Sequence, residues 1–158
     1  MSIDIDIRPL AVTDAPAVAT IFFEAVNLGT TAHYSATERR AWGGDAPMPE
    51  RWRQALDGVD GFVAEIDGDA VGFMTIDDTG YIDLAFVSPS HAGKGVGGRM
   101  LSVVEAKALE MGVAVLTTKA SLAARPFFAR HGFELDCPQQ VVRDEVTLEN
   151  FSMFKHLR

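Results

Sequence analysis

Ile3, Ile5 and Ile7 alternate with Asp4, Asp6 and Arg8 near the start of the chain, the period-two pattern of a strand with one buried face. Pro9 ends it. Thr13, Asp14 and Pro16 then supply an N-cap and first turn for a helix whose apolar stripe, Val18, Ile21, Phe22, Ala25 and Val26, runs at helical spacing to Gly29. Between Thr30 and Gly58 the chain reads as further helix: Ser35 followed three residues later by Glu38 has the form of a capping box, and Pro49 opens a short helix through Leu56. From Gly61 the period changes. Phe62 to Ile66, Ala70 to Ile76 and Tyr81 to Val87 are short apolar segments divided by Asp67-Gly68-Asp69 and Asp77-Asp78-Thr79-Gly80, and that turn chemistry predicts an antiparallel meander. A helical stripe follows, Val96, Met100, Leu101, Val104, Ala108 and Met111, stopped by Gly112. Val113 to Thr117 reads as a buried strand, Leu122 to Arg130 as a helix, and Val141 to Leu157, broken at Asp144-Glu145, as a terminal hairpin.

The order β, α, α, β, β, β, α, β, α, β, β predicts an α+β (mixed α/β) fold rather than a repeated parallel design. No internal repeat, low-complexity tract or long linker divides the 158 residues, so residues 1–158 read as a single domain large enough to bury a core without staples. The balance of 14 basic and 22 acidic residues, net −8, disfavours nucleic acid and anionic lipid and mildly favours cationic ligands, without excluding a local anion site. Cys137 is the single cysteine. With no basic-then-apolar leader among Met1 to Leu10 and no apolar run near the roughly 18 residues of a membrane span, a reducing, cytoplasmic setting is expected. Exposed terminal strands suit a homodimer.

The most informative stretch is Ser88-Pro89-Ser90-His91-Ala92-Gly93-Lys94-Gly95-Val96-Gly97-Gly98-Arg99, between a strand and the long helix. Glycines at a helix N-terminus let the backbone approach a ligand, and the unpaired N–H groups of the first turn attract an anion such as a pyrophosphate. Lys94 and Arg99 add positive charge. The glycines lower helix propensity with no packing reason visible in the sequence, which argues against a turn that merely starts a helix. Gly93-x-Gly95-x-x-Gly98 formally matches the dinucleotide fingerprint, but Ser88 to Ala92 intervene, and the next strand ends in Thr117-Thr118-Lys119 rather than an acidic residue. The spacing is not that of a Walker A loop either.

Two motifs resemble the GNAT superfamily of N-acetyltransferases. In that family Val-x-Pro runs into Gln/Arg-x-x-Gly-x-Gly/Ala, and here Val87-Ser88-Pro89 leads to Ala92-Gly93-Lys94-Gly95-Val96-Gly97. A second element, Asn-x-x-Ala-x-x-Phe-Tyr-x-x-x-Gly-Phe, is matched by Ser121-x-x-Ala124-x-x-Phe127-Phe128-x-x-x-Gly132-Phe133. Ala92, Ser121 and Phe128 depart from the usual residues. The order of elements also agrees along nearly the whole chain, and the His33-Tyr34-Ser35 and Trp42 region is similar to a bacterial branch. The resemblance implies a central mixed, mostly antiparallel twisted sheet of about seven strands flanked by helices, and acetyl-coenzyme A as the cofactor. It also implies direct transfer of an acetyl group to a primary amine of a small molecule or peptide, with no metal.

The resemblance also distributes roles. The strand edge at Ala85, Phe86 and Val87 contacts the cofactor, with a backbone N–H at Phe86 to Val87 polarising the thioester carbonyl. Ala92, Gly93, Lys94, Gly95, Val96, Gly97, Gly98 and Arg99 hold the phosphates, and Ser121, Ala124, Phe127 and Phe128 complete that site. An acceptor ammonium must lose a proton before it attacks. Asp83, two residues from Tyr81 and on the same face of the fourth strand, is the first choice of base, ahead of His33 and Glu24. The tyrosine that usually protonates the leaving thiolate is Phe128 here, so Tyr34, Tyr81 or water replaces it, or the thiolate leaves unassisted. An acyl-enzyme on Cys137 is disfavoured by its place beside Pro138. The acceptor pocket is expected from Asn27 to Trp52 with the terminal hairpin, using His33, Tyr34 and Trp42; Trp42 and Trp52 read equally as residues that pack two short helices on the sheet. Two other classes remain: a non-catalytic acyl-coenzyme A binding module, which Phe128 favours, and a nucleotide-binding domain, which rests on the formal glycine match alone.

Overall fold

Gly80 decides how the strands divide. It adopts a φ of +90°, and a Cβ there would lie 2.5 Å from Val113 Cγ1 and 2.6 Å from the Val115 carbonyl oxygen, a closeness that only glycine permits. The computed structural model describes residues 4–157, so Ile3 of the first expected strand lies outside the described residues. In chain order the elements are β1 (Asp6–Pro9), α1 (Ala15–Asn27), α2 (Ala36–Gly43), α3 (Pro49–Ala55), β2 (Gly61–Ile66), β3 (Asp69–Thr75), β4 (Tyr81–Ile82), β5 (Ala85–Val87), α4 (Val96–Glu110), β6 (Val115–Ser121), α5 (Arg125–Arg130), β7 (Glu134–Arg143) and β8 (Val146–His156). They form two four-stranded sheets, β1-β2-β3-β5 and β4-β6-β8-β7, antiparallel except for the parallel pair β4 and β6.

The mixed α+β class stands, with three helices before β2 where the expected order had two, and eight strands where about seven were expected. The difference lies in Tyr81 to Val87, which is not one strand of a meander. The close approach of Gly80 to the start of β6, where its carbonyl accepts the Thr117 N–H at 3.0 Å, delivers Tyr81 and Ile82 to the second sheet. Ala85 to Val87 return to the first sheet against β3. Asp83 and Leu84 lie between, in neither strand. Two buried threonines accommodate the division: Thr75 Oγ1 accepts the Leu84 N–H at 3.1 Å, and Thr118 Oγ1 donates to the Ile82 carbonyl at 2.8 Å.

The first sheet is covered on both faces. Val63 and Phe73, opposite each other in register, pack with Ala15, Val18 and Ile21 of α1, while Ala64 and Met74 share a cluster with Met100, Leu101 and Val104 of α4. Burying side chains of this size contributes about 1.5–3 kcal/mol each, which fixes both helices on the sheet. The Ser35–Glu38 capping box forms as expected, with bonds of 3.1 and 2.8 Å, and Pro49 opens α3.

Four boundaries shift, the simplest being β6, which runs Val115–Ser121 where Val113 to Thr117 was expected. The N-cap of α1 is Asp14, with Thr13 inside a preceding 3-10 turn, because the Asp14 carboxylate is held from outside by Arg8 at 2.7 and 2.9 Å and by the Ala11 N–H at 2.8 Å. Helix α5 starts at Arg125 rather than Leu122, since Ser121 Oγ accepts the Ala124 N–H at 3.0 Å and holds a turn. Strand β7 begins at Glu134 rather than Val141. It is an edge strand exposed along most of its length, with a register irregularity between Leu135 and Cys137 and with Pro138 inside it, so no buried face imposes the alternation that would announce it.

The Arg8 guanidinium holds the Asp14 carboxyl below its ordinary range, against the opposing effect of burial. A lowered folded-state pKa stabilises above the unfolded value near 4 and is lost as pH falls through the folded one. Asp14→Asn is therefore expected to lower stability at pH 7 by about 1 kcal/mol and to flatten the decline in stability below about pH 4, both read from urea unfolding at a series of pH values.

Candidate active site

The return of β5 to one sheet only leaves its other edge open. Ser88 N–H donates to the Val71 carbonyl and Thr75 N–H to the Leu84 carbonyl, and the register pairs Phe73 with Phe86. Alternation in an antiparallel ladder therefore turns the backbone groups of Leu84, Phe86 and Ser88 toward β3. Those of Ala85 and Val87 face the gap between the sheets, which narrows the expected Phe86 to Val87 donor to Val87.

Beyond β5 the chain makes a 3-10 turn at Pro89–His91 and enters α4 through Gly93 and Gly95, at φ of +76° and +84°. Both glycines answer a conformational demand, since a Cβ at either would meet nothing within 4 Å. Gly95 caps α4 without a side-chain bond, and no acidic residue occupies the first turn. Its N–H groups and helix dipole are thus available to an anion. Gly97 and Gly98 do have a packing reason: a Cβ there would lie 2.9 Å from Phe127 Cε1 and 3.1 Å from His131 Cε1, so both let α5 close on α4.

These elements enclose a cleft of about 500 Å³, lined by Ala85, Phe86, Val87, Ala92, Gly93, Gly95, Val96, Gly97, Gly98, Ser121, Ala124, Phe127 and Phe128 among others. Lys94 and Arg99 do not line it: Lys94 is exposed on the loop, and Arg99 Nη2 bonds the Ile5 carbonyl at 3.2 Å, tying α4 to β1. Arg130, His131 and His91 are on its wall instead, and sequence reasoning did not single them out. Arg130 and His131 follow Phe127 by three and four residues, the spacing that puts them on one helix face, and the His131 ring sits 4.6 Å from that of Phe127.

A second cleft of about 240 Å³ meets the first along Trp42, Ala85, Phe86, Ser121, Ala124 and Phe128. Tyr34, Tyr81, Asp83 and Trp42 converge on it, with Arg143, Glu149 and Asn150 from the β7–β8 hairpin. His33 is exposed and lines none of the clefts described, and Glu24 likewise stands apart on α1. Cys137 is exposed on the β7 edge. Across Asp83 and Leu84 the second cleft continues into a hollow of about 430 Å³ walled by Phe22, Trp42, Met48 and Trp52. Both tryptophans also pack the helices: Trp42 lies 5.6 Å from Tyr34 and 6.0 Å from Phe86, and Trp52 5.1 Å from Phe22 and 5.8 Å from Phe73.

Tyr34 is fully engaged. Its buried phenol donates to the Glu149 carbonyl at 2.6 Å and accepts the Leu122 N–H at 2.9 Å, bridging the segment before α2 to β8 and to the turn before α5. Burial pushes its pKa up, as it does that of Tyr81, where the nearby Asp83 carboxylate adds to the effect. Both phenols hold their protons at neutral pH. Phe128, at the tyrosine position of the motif, is buried in edge-on contact with Phe127 and Phe133 and has no proton to give.

A cleft bounded by an open strand edge and an uncapped helix N-terminus, meeting a second polar cleft at its inner end, is suited to an extended anionic ligand beside a second, smaller one. The family model described as "Acetyltransferase (GNAT) domain" matches residues 30–153. The chain is 34% identical over 151 residues to the uncharacterized N-acetyltransferase YafP of Escherichia coli, covering 95% of each chain. A GCN5-related N-acetyltransferase from Rhodopseudomonas palustris superposes with a TM-score of 0.93 at 29% identity, over 99% of both chains. The N-acetyltransferase paia of Thermoplasma acidophilum, solved with coenzyme A, shares the fold at a TM-score of 0.77 and 16% identity, over 98% of this chain and 99% of that one.

The chain belongs to the GNAT acetyltransferase family, and it is an acyltransferase that uses acetyl-coenzyme A. The residues present fit that donor: uncapped first-turn amides with Arg130 and His131 suit its phosphates, and the Ala85 and Val87 backbone groups suit its extended amide chain. Among the described residues no helix is long and apolar enough to cross a membrane.

Tyr34→Phe removes a donor and an acceptor together and leaves the Glu149 carbonyl and the Leu122 N–H without partners. The expected loss is about 1–3 kcal/mol, read as a lower urea midpoint with an unchanged slope.

Proposed function

We propose that the protein transfers the acetyl group directly from acetyl-coenzyme A to a primary amine bound in the Asp83 cleft. The observation that carries the reading is the meeting of the two clefts at β5, where the outward Val87 N–H stands on one side and Asp83 on the other. Bound acetyl-coenzyme A supplies an activated thioester. The Val87 N–H donates to its carbonyl oxygen and stabilises the charge that develops there. Asp83 accepts the proton of the acceptor ammonium, the freed nitrogen lone pair forms the C–N bond, the C–S bond breaks, and the second nitrogen proton passes to water or to the base left when the thiolate is protonated. The thiolate takes its proton from Tyr81 or from water: Phe128 has none, and that of Tyr34 is donated to the Glu149 carbonyl. The acidic balance of the chain supports an amine acceptor over nucleic acid. The unpaired Cys137 supports a reducing, cytoplasmic setting.

Calorimetry with acetyl-coenzyme A, coenzyme A, NAD and ATP in parallel tests the donor, and an amine panel then tests turnover. Saturable binding of the coenzyme A compounds alone is expected; preference for NAD or ATP overturns the reading. Gly95→Glu should remove binding even at concentrations about a hundredfold above the wild-type Kd, since it puts a carboxylate at the anion site and a side chain at positive φ. Asp83→Asn should keep the Kd within about twofold and lower kcat by about 10²-fold or more. An unchanged kcat removes Asp83 from the base role, and binding without turnover of any amine favours the alternative, an acyl-coenzyme A binding module committed to no reaction.

A homodimer built on the exposed edge of β7, with Leu135 and Val142 outward, belongs to the same proposal. Sedimentation equilibrium should give a particle of twice the chain mass at micromolar concentration; a monomer at all concentrations refutes it.

A further inference from the structure

The hollow beyond Asp83 carries both signs of charge on an aromatic floor. Its polar rim consists of Asp83, Arg143 and Asp144 with Arg51 of α3, and its floor is formed by Phe22, Trp42 and Trp52. The two arginines stand out in a chain with more acidic than basic residues. Three other arginines are held by carboxylates: Arg8 by Asp14 and Glu65, Arg40 by Asp45, Arg53 by Glu50. Among the described residues, Arg143 bonds only the carbonyl of its neighbour Val142, and no carboxylate lies within ion-pair distance of Arg51 or Arg143. They come from elements far apart in sequence and line one hollow, and Arg143 also lines the cleft where Asp83 and Tyr81 meet. Exposed guanidinium groups without a carboxylate partner, beside an aromatic surface, suit a planar carboxylate ligand.

We propose, resting on the transferase reading above, that the acceptor is a free amino acid with a bulky apolar side chain. Its ammonium lies at Asp83, its carboxylate is held by Arg143 with Arg51, and its side chain enters the aromatic hollow. The lining is zwitterionic and so is the ligand. The volume, about 430 Å³, accommodates a phenylalanine-sized group. The same two arginines repel the second ammonium of a polyamine, which sets the choice between these two classes of amine.

The test compares L-phenylalanine, 2-phenylethylamine and spermidine as acceptors for the acetyl-coenzyme A saturated protein, reading coenzyme A thiol release. L-phenylalanine should have a kcat/KM at least about tenfold above either comparator. Arg143→Gln should lower kcat/KM for L-phenylalanine about tenfold or more through KM, leaving 2-phenylethylamine within about twofold, as expected for one charged hydrogen-bonded contact. Arg143→Lys should restore part of the loss. Equal or better use of 2-phenylethylamine or spermidine, or an equal effect of Arg143→Gln on both phenyl compounds, overturns the proposal. If none of the three is acetylated, calorimetry of L-phenylalanine against the coenzyme A complex decides: no binding overturns the amino-acid assignment while leaving the transferase reading to its own donor and panel results. A protein that fails to bind acetyl-coenzyme A at all refutes both.

Discussion

The structure depends on one backbone event, the division of Tyr81 to Val87 between two sheets. A strand that stayed with β3 throughout would leave no gap between the sheets and no outward-facing amides at Ala85 and Val87. The separation would be costly if it stranded buried backbone groups. It is made tolerable by Thr75 and Thr118, whose hydroxyls take up the Leu84 N–H and the Ile82 carbonyl at the point of parting, and by Gly80, which has no side chain to hold the chain off β6.

The two halves of the site are made of different material. On the donor side the recognising groups are mostly main chain: the free edge of β5 and the first turn of α4. On the acceptor side they are side chains drawn from α2, α3, β4 and the β7–β8 hairpin. Tyr34 connects the halves, since one phenol oxygen touches both β8 and the turn that precedes α5. A tyrosine used in this way commits its O–H to a carbonyl as a hydrogen-bond donor, and the motif's tyrosine position is given to core packing by Phe128.

Much of this was legible in the sequence, and the reasons differ from residue to residue. Glycines at Gly93 and Gly95 and the residues Ser121, Ala124, Phe127 and Phe128 are recognisable because the donor side demands fixed backbone geometry at fixed spacing. The α4 stripe and the Ser35–Glu38 box are local patterns and formed as local patterns do. The split strand was not legible: Tyr81 to Val87 is uniformly apolar enough to pass for one strand, and the contacts that divide it come from Val113, Val115 and Thr118, more than thirty residues away. Strand β7 was cut short because an edge without a buried face carries no periodic signal. Lys94 and Arg99 drew attention by charge alone, whereas Arg130 and His131 reach the cleft through the packing of α5 against Gly97 and Gly98, which has no counterpart in charge patterning. His33 was considered for its chemistry alone, and it lies exposed in the turn before α2, away from the clefts.

The open edge of β5 has one more implication. An unpaired strand edge inside a protein is normally filled by another strand; in the proposed reaction an extended donor chain bonded to Ala85 and Val87 would occupy the place a ninth strand would take. The donor is then a removable part of the architecture as well as a reactant. By linkage, a ligand that binds only the folded chain adds to its stability, so a donor seated on that edge would hold the two sheets to one another more firmly, and the rigidity of the acceptor wall would follow the supply of the activated acyl group.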